Sequence, residues 1–490
     1  MKLRFKTLWI VLAAGMLILL AAGCNDTLRQ FITPVPAPTG DPGTLSHAIT
    51  LSTNPAPSSD GSDMHIDVSG DSAAGIVPVG PNPVFLGKTS SRVFIINSGV
   101  ATAPVVPPTV SVYTALLGFN ATVSTVTLPT TGPDAVVTPV AGATSSSNDI
   151  FIANQGSDSV SVISGAVLAV TQTVHLAAGS KPVSIAGNTA NNKIFVVNNG
   201  TNSVSEISTI DDTLIKNIPV GASPIWGVMS TDGLFVFIVN QGDGTVSVID
   251  ASLESVVATI AVGPSPNFAF YDPKLKRVYV SNTGANTISV IQANITAATP
   301  PAKLADIVVS GAPTSVTALS DGTKAYAALG NCPSGTNHLS IITNLASCTG
   351  NLVSVIDTVA LREMKTIAVG AGAVSIDSSG DASKVYVVSA NDVTTVRDDV
   401  HAPNCTDTGC LPGAVQPDRT FPAPSISIIR TNTNSVVVTP ANAGVVSRPL
   451  PTFHLPQQNP GCVSAIDPNF NDEVTLPCAM QSPFKIVTFP

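Results

Sequence analysis

Charge is scarce in this chain. Only 11% of its 490 residues are Asp, Glu, Lys or Arg, and the net charge is −9. No stretch combines Lys/Arg density with aromatics, so a broad phosphate-binding surface, and with it nucleic acid, is not expected. Aromatics are equally sparse, at 5%. No CxxC, HxxxH, HExxH, GxSxG, P-loop or haem CxxCH pattern occurs. Those absences remove the common short signatures of metal binding, nucleophilic catalysis and nucleotide binding. The six His (His47, His65, His175, His338, His401 and His454) are scattered and share no repeated position, so each reads as a surface or loop residue. No catalytic residue, metal site or cofactor is expected. Beyond the N-terminus, no apolar run reaches the roughly 18 residues that span a bilayer as a helix.

What the chain has in abundance is repetition. Phe151-Ile152-Ala153-Asn154-Gln155-Gly156 returns as Phe195–Gly200, Phe237–Gly242 and Tyr279–Gly284. An earlier copy ends at Gly99, and weaker copies run Tyr326–Gly330 and Tyr386–Ala390. The clean copies lie about 42 residues apart, the length of a four-stranded propeller blade. After each polar turn comes an alternating strand, such as Thr245-Val246-Ser247-Val248-Ile249-Asp250, and then a further strand that ends in a Gly/Pro hook. Period-two alternation of β-branched residues specifies strands, and the Gly, Pro, Asn and Asp between them specify turns. Hooks stand at Gly80, Gly132, Gly179, Gly221, Gly263, Gly311 and Gly370, which predicts seven blades, with six or eight as alternatives. The fold class is therefore all-β, a ring of four-stranded blades over residues 64–440. His65–Gly80 aligns with Val248–Gly263, the second half of a blade, and is read as an N-terminal closure hairpin.

The segments VYVSNTGANTISVI and VFIVNQGDGTVSVID resemble the repeat of the YVTN β-propeller family. The resemblance covers roughly residues 80–440 and implies a propeller. It implies no particular ligand, because the recurring residues are strand core and turn chemistry.

The ends have a different character. Lys2, Arg4 and Lys6 precede an apolar core, Leu8 to Leu20, and Leu20-Ala21-Ala22-Gly23-Cys24 resembles a bacterial lipobox. Residues 1–23 are then a signal peptide and Cys24 the lipidated residue, although Ala21 stands where Leu is usual. An ordinary secretory signal cleaved nearby is the alternative, and either predicts export. Residues 24–63, rich in Pro, Thr, Ser, Gly and Asp, read as a flexible tether. Residues 441–490, interrupted by seven prolines from Pro449 to Pro483, read as an irregular strap packed on the ring.

Six cysteines remain: Cys332, Cys348, Cys405, Cys410, Cys462 and Cys478. An even number in an oxidising compartment predicts disulfides. Pairing each with its nearest neighbour is the simplest of about fifteen connectivities. The first four lie in long insertions, 331–351 and 391–424, between second and third strands of two successive blades; a smaller Pro-rich insertion, 100–108, stands at the same point of the first blade. Loops at that point share one face of a propeller, so the insertions predict a raised binding patch, with His338, Asn344, Asp398, His401 and Asp407 as candidate contacts. The expected function is a lipid-anchored binding or scaffold module of the bacterial cell envelope, facing a protein, peptide or glycan and touching the membrane through its N-terminal lipid alone. The alternative is a propeller enzyme of lactonase-like or quinoprotein-like type.

Overall fold

The computed structural model describes residues 47–53, 60–67, 72–89, 92–101, 105–114, 122–188, 190–296, 299–336, 345–391, 393–396, 419–422, 425–436, 452–454 and 482–489. They belong to one compact unit, Asp41–Pro490. Eight antiparallel blades form the ring, one more than the hooks predict.

Blade 1 explains the difference. Its order from the channel outward is Ser482–Phe489, His47–Thr53, Asp60–Asp67 and Ser72–Pro81. The C-terminal strand pairs with the N-terminal one from His47↔Phe489 to Thr53↔Ser482. The blade is thus made from both ends of the chain, and its inner strand is not announced by a hook. His65–Gly80 does contribute the third and outer strands of a closing blade. The stretch read as a tether also holds a strand, His47–Thr53, and the stretch read as an irregular strap ends in one, Ser482–Phe489. The ring accordingly extends beyond 64–440 at both ends.

Blades 2 to 7 are each continuous in sequence. Their inner strands are Pro83–Lys88, Pro139–Thr144, Pro182–Gly187, Pro224–Met229, Pro266–Asp272 and Ser315–Ala318. Blade 8 starts with Ala373–Ser378 and Lys384–Ser389. Its third strand, Ser425–Arg430, carries a split outer edge: Ser435–Val436 pairs with one end and Thr452–His454 with the other.

The core lies between blades. Phe94, Phe151, Phe195, Phe237, Tyr279, Tyr326 and Tyr386 occupy the same place in successive second strands, and all are buried. Clusters of Val, Ile and Ala fill each junction; that of blades 5 and 6, for instance, joins Val246 and Val248 to Val278 and Val280. Burying an aliphatic side chain contributes about 1.5–3 kcal/mol, so stacking the blades supplies what no single sheet could. A basic residue opening the second strand then staples four junctions. Arg92 donates to the Gly165 carbonyl, Lys193 to Ala251, Arg277 to Thr358 and Lys324 to Thr431, each on the following blade.

The repeated Asn is a buried clamp. Asn282 Nδ2 donates to Thr287 Oγ1 at 3.1 Å and Ser289 Oγ at 2.9 Å, and Asn154, Asn198 and Asn240 make the same pair of bonds. The hook glycine packs against this side chain. A Cβ on Gly263 would stand 2.8 Å from Asn282 Cβ and Cγ, and one on Gly221 would stand 2.6 Å from Asn240 Nδ2. Gly and Asn therefore recur together because each occupies the space the other leaves. An Asn282→Ala change removes both amide hydrogen bonds, to half-buried Thr287 and buried Ser289, and denaturant titration should show a loss of about 1–3 kcal/mol.

Candidate functional site

Alternation of strand direction gives the ring two unlike faces. One carries the connections between second and third strands, together with the hooks. In blades 3 to 6 these connections are tight turns, closed by Asp158, Asn202, Gly244 and Asn286 with positive φ. In blades 7, 8, 1 and 2 they are longer: 330–351, 390–424, 54–59 and 98–108. These four blades are consecutive around the closed ring, with blade 1 standing between the insertions of blades 8 and 2.

The blade 7 insertion is pinned at its root. Cys332 and Cys348 form a disulfide, and both are buried in the cluster that joins blades 8, 1 and 2. Gly350 N donates to the Gly330 carbonyl at 2.7 Å, and Asn391 Nδ2 to the Cys348 carbonyl at 2.7 Å. From there the loop leans back over its neighbours: Ser334 Oγ lies 3.0 Å from Ser265 Oγ of blade 6, and Gln241 Nε2 of blade 5 donates to the Thr336 carbonyl at 3.4 Å. In blade 8 a hairpin, Val393–Val396 with Arg419–Pro422, rises from the same point. In blade 2 the insertion folds on an antiparallel bridge between Val100 and Val106, and leaves Val105 exposed. The contacts named from the sequence (His338, Asn344, Asp398, His401 and Asp407) lie outside the described residues. So do Cys24, Cys405, Cys410, Cys462 and Cys478.

The channel is the second locus. Trp226 of blade 5 and Phe268 of blade 6 stand 4.9 Å apart, centroid to centroid, and Trp226 Nε1 donates to the Ala269 carbonyl. Lys485, on the inner strand of the opposite blade, places its Nζ 5.7 Å from both rings. Burial holds its ammonium below the usual lysine range, against the pull of Asp377 on blade 8. Lys88 of blade 2 is lowered for the same reason and opposed by the same carboxylate. Among the described residues, no three of His, Cys, Asp and Glu gather into a metal-binding group. Lys88 and Lys485 lie on the inner strands of blades 2 and 1, outside the five inner strands legible from the repeat, those of blades 4 to 8. The signal for Lys485 is its place in the β-branched run Phe484-Lys485-Ile486-Val487-Thr488.

A third polar group lies between blades 1 and 2. Asp63 and His65, on the third strand of blade 1, meet Tyr113, on the third strand of blade 2, and all three are buried. His65 is therefore not the surface or loop residue its isolation in the sequence suggests. Its Nε2 lies 3.0 Å from Tyr113 Oη, and Tyr113 donates in turn to Asp63 Oδ2. Burial pushes the Asp63 carboxyl up to about 8, although Tyr113 and the backbone at Val77 pull the other way.

The fold and these loci define the chain as an eight-bladed β-propeller closed by its own two ends. No family model matches the chain, and no curated protein matches it. Solved structures do. A dihydro-heme d1 dehydrogenase, NirN, in complex with DHE is 12% identical, with 82% of this chain and 74% of that one covered at a TM-score of 0.55. The periplasmic gluconolactonase PpgL of Pseudomonas aeruginosa is 14% identical, with 66% and 97% covered at 0.49. A 6-phosphogluconolactonase-like protein of Bacteroides uniformis is 15% identical, with 66% and 97% covered at 0.47. At these identities the likeness is one of fold.

Proposed function

We propose that this chain is a lipid-anchored binding propeller of the bacterial cell envelope, exported by its N-terminal signal and attached through Cys24. Its interface is the loop-bearing arc of blades 7, 8, 1 and 2. The observation that carries this reading is the placement of the longer connections between second and third strands: they belong to blades 7, 8, 1 and 2, consecutive around the ring, while the same connection is a tight turn in blades 3 to 6. Long loops on a rigid scaffold are where propellers recognise partners, and a disulfide at the root of one limits the entropy lost on binding. The partner expected is an envelope protein, peptide or glycan. Replacing 391–424 by a four-residue turn such as that of blade 5 should abolish capture of the partner from envelope extract and leave the melting curve cooperative. Equal capture by the replaced variant would refute the reading.

The second reading is a propeller enzyme of lactonase-like or quinoprotein-like type. It draws on the charged groups inside the channel, Lys485, Lys88 and Asp377, which the YVTN-like repeat alone does not call for. Turnover of a lactone in a substrate screen, lost in Lys485→Met, would favour it.

A further inference from the structure

The face opposite the loops carries an unexpected set of side chains. Its rim is made of the turns between third and outer strands. Such turns sit in solvent and are ordinarily polar. Here four of them place an aliphatic residue at the tip: Val167 in blade 3, Ile210 in blade 4, Leu253 in blade 5 and Val359 in blade 7, exposed by 69%, 77%, 63% and 88%. The turns are fixed. Ser208 Oγ accepts from Ile210 N, Asp250 Oδ1 from Leu253 N at 3.1 Å, and Asp357 Oδ1 from Val359 N at 2.9 Å. In each case the side chain that begins the turn holds the backbone of the very residue displayed outward.

The chain also enters the ring on this face. His47 opens the second strand of blade 1, opposite Phe489 at the end of the inner strand and Asp67 at the end of the third. That is the edge of the third-to-outer turns. A flexible chain as long as the stretch between Cys24 and His47 spans roughly 25–30 Å.

We propose that this underside rests on the lipid bilayer, with Val167, Ile210, Leu253 and Val359 dipping into the headgroup region while the loop-bearing face points away. The inference rests on the lipid-anchor reading. The four tips belong to different blades, so no single pocket in a globular partner would take them together; they share one rim, which a flat fluid surface meets at once. Each tip alone is a weak membrane contact. The anchor removes that difficulty, because a tethered face samples the surface at high effective concentration. The arrangement supplies the second signal that a lipid-held protein uses to fix its orientation, and it presents the binding arc to the surroundings.

The test uses the acylated chain from Cys24 onward on phosphatidylethanolamine–phosphatidylglycerol vesicles doped with brominated phosphatidylcholine. Ile210→Trp places a reporter on the underside, and Val105→Trp places one on the loop face at a comparably exposed site. Wild-type emission, from Trp226 in the channel, is subtracted. The Ile210→Trp reporter should lose most of its emission to the brominated lipid, and the Val105→Trp reporter should lose none. Vesicle flotation with both reporters unquenched, or with the Val105→Trp reporter quenched instead, overturns the proposal and leaves the anchor standing. Failure of the acylated chain to float overturns both.

Discussion

A chain ending at Gln481 is expected to lose the closed ring. Removing Ser482–Phe489 strips blade 1 of its inner strand and exposes the edge of His47–Thr53 along its length. Ala48, Ile49 and Leu51, all fully buried in the cluster that joins blades 8, 1 and 2, then lose the cover of the strand beside them. Each such side chain is worth about 1.5–3 kcal/mol. The junctions on either side of blade 1 lose support together, and Trp226 and Phe268 lose the Lys485 cation. The sum exceeds half of the roughly 5–15 kcal/mol that holds a domain folded. The truncated protein should elute larger than the full chain, be cut by protease between blades 8 and 2, and melt without a sharp transition. A synthetic peptide of residues 482–490, added in trans, should restore protection. An unchanged melting curve in the truncated chain would mean that the strand only decorates a ring closed by other contacts.

The second large effect is a dependence on pH that one residue controls. Asp63 titrates near 8 in the fold against an ordinary value of 3.8. Between those two values the folded chain holds a proton that the unfolded chain has released. Stability from this group is therefore full below about pH 4, falls as pH rises by about 1.4 kcal/mol per unit, and levels off above about pH 8. Asp63→Asn keeps an acceptor for the Tyr113 hydroxyl and removes the titration. Unfolding free energies from denaturant titration at pH 5 and pH 8.5 should differ in the native protein by up to about 4 kcal/mol more than in the variant. Parallel behaviour would show that water or backbone relaxation relieves the buried carboxyl. Because the triad bridges blades 1 and 2, the expected weak point at high pH is the closing seam.

Blades that are continuous in sequence were legible; of the blade made of two ends, the third and outer strands were legible and the two inner ones were not. Phe237-Ile238-Val239-Asn240 predicts its strand because alternation, the terminal Asn and the following turn all agree. The hook Gly221 is found with it because Asn240 leaves no room for a side chain there. Ser482–Phe489 carries none of these signals: its partners are more than 400 positions away, and no turn or hook marks its start. Long-range pairing of that kind has no local signature. The same reason hid the polar groups. Lys485 meets Trp226 and Phe268 across the channel, and Asp63 meets Tyr113 across a blade junction, so neither pairing appears as a spacing in the sequence. The insertions were legible as departures from the repeat. Their order around the ring changed, because an unmarked blade stands between two of them.

Photo-crosslinking in intact cells tests the division of labour between the two faces most directly. A photoreactive residue at Val105 reports from the loop-bearing arc, and one at Leu253 from the rim of the opposite face; both side chains are exposed. The account predicts a discrete protein adduct from position 105 and lipid adducts alone from position 253. A protein adduct from position 253, with none from position 105, would contradict it.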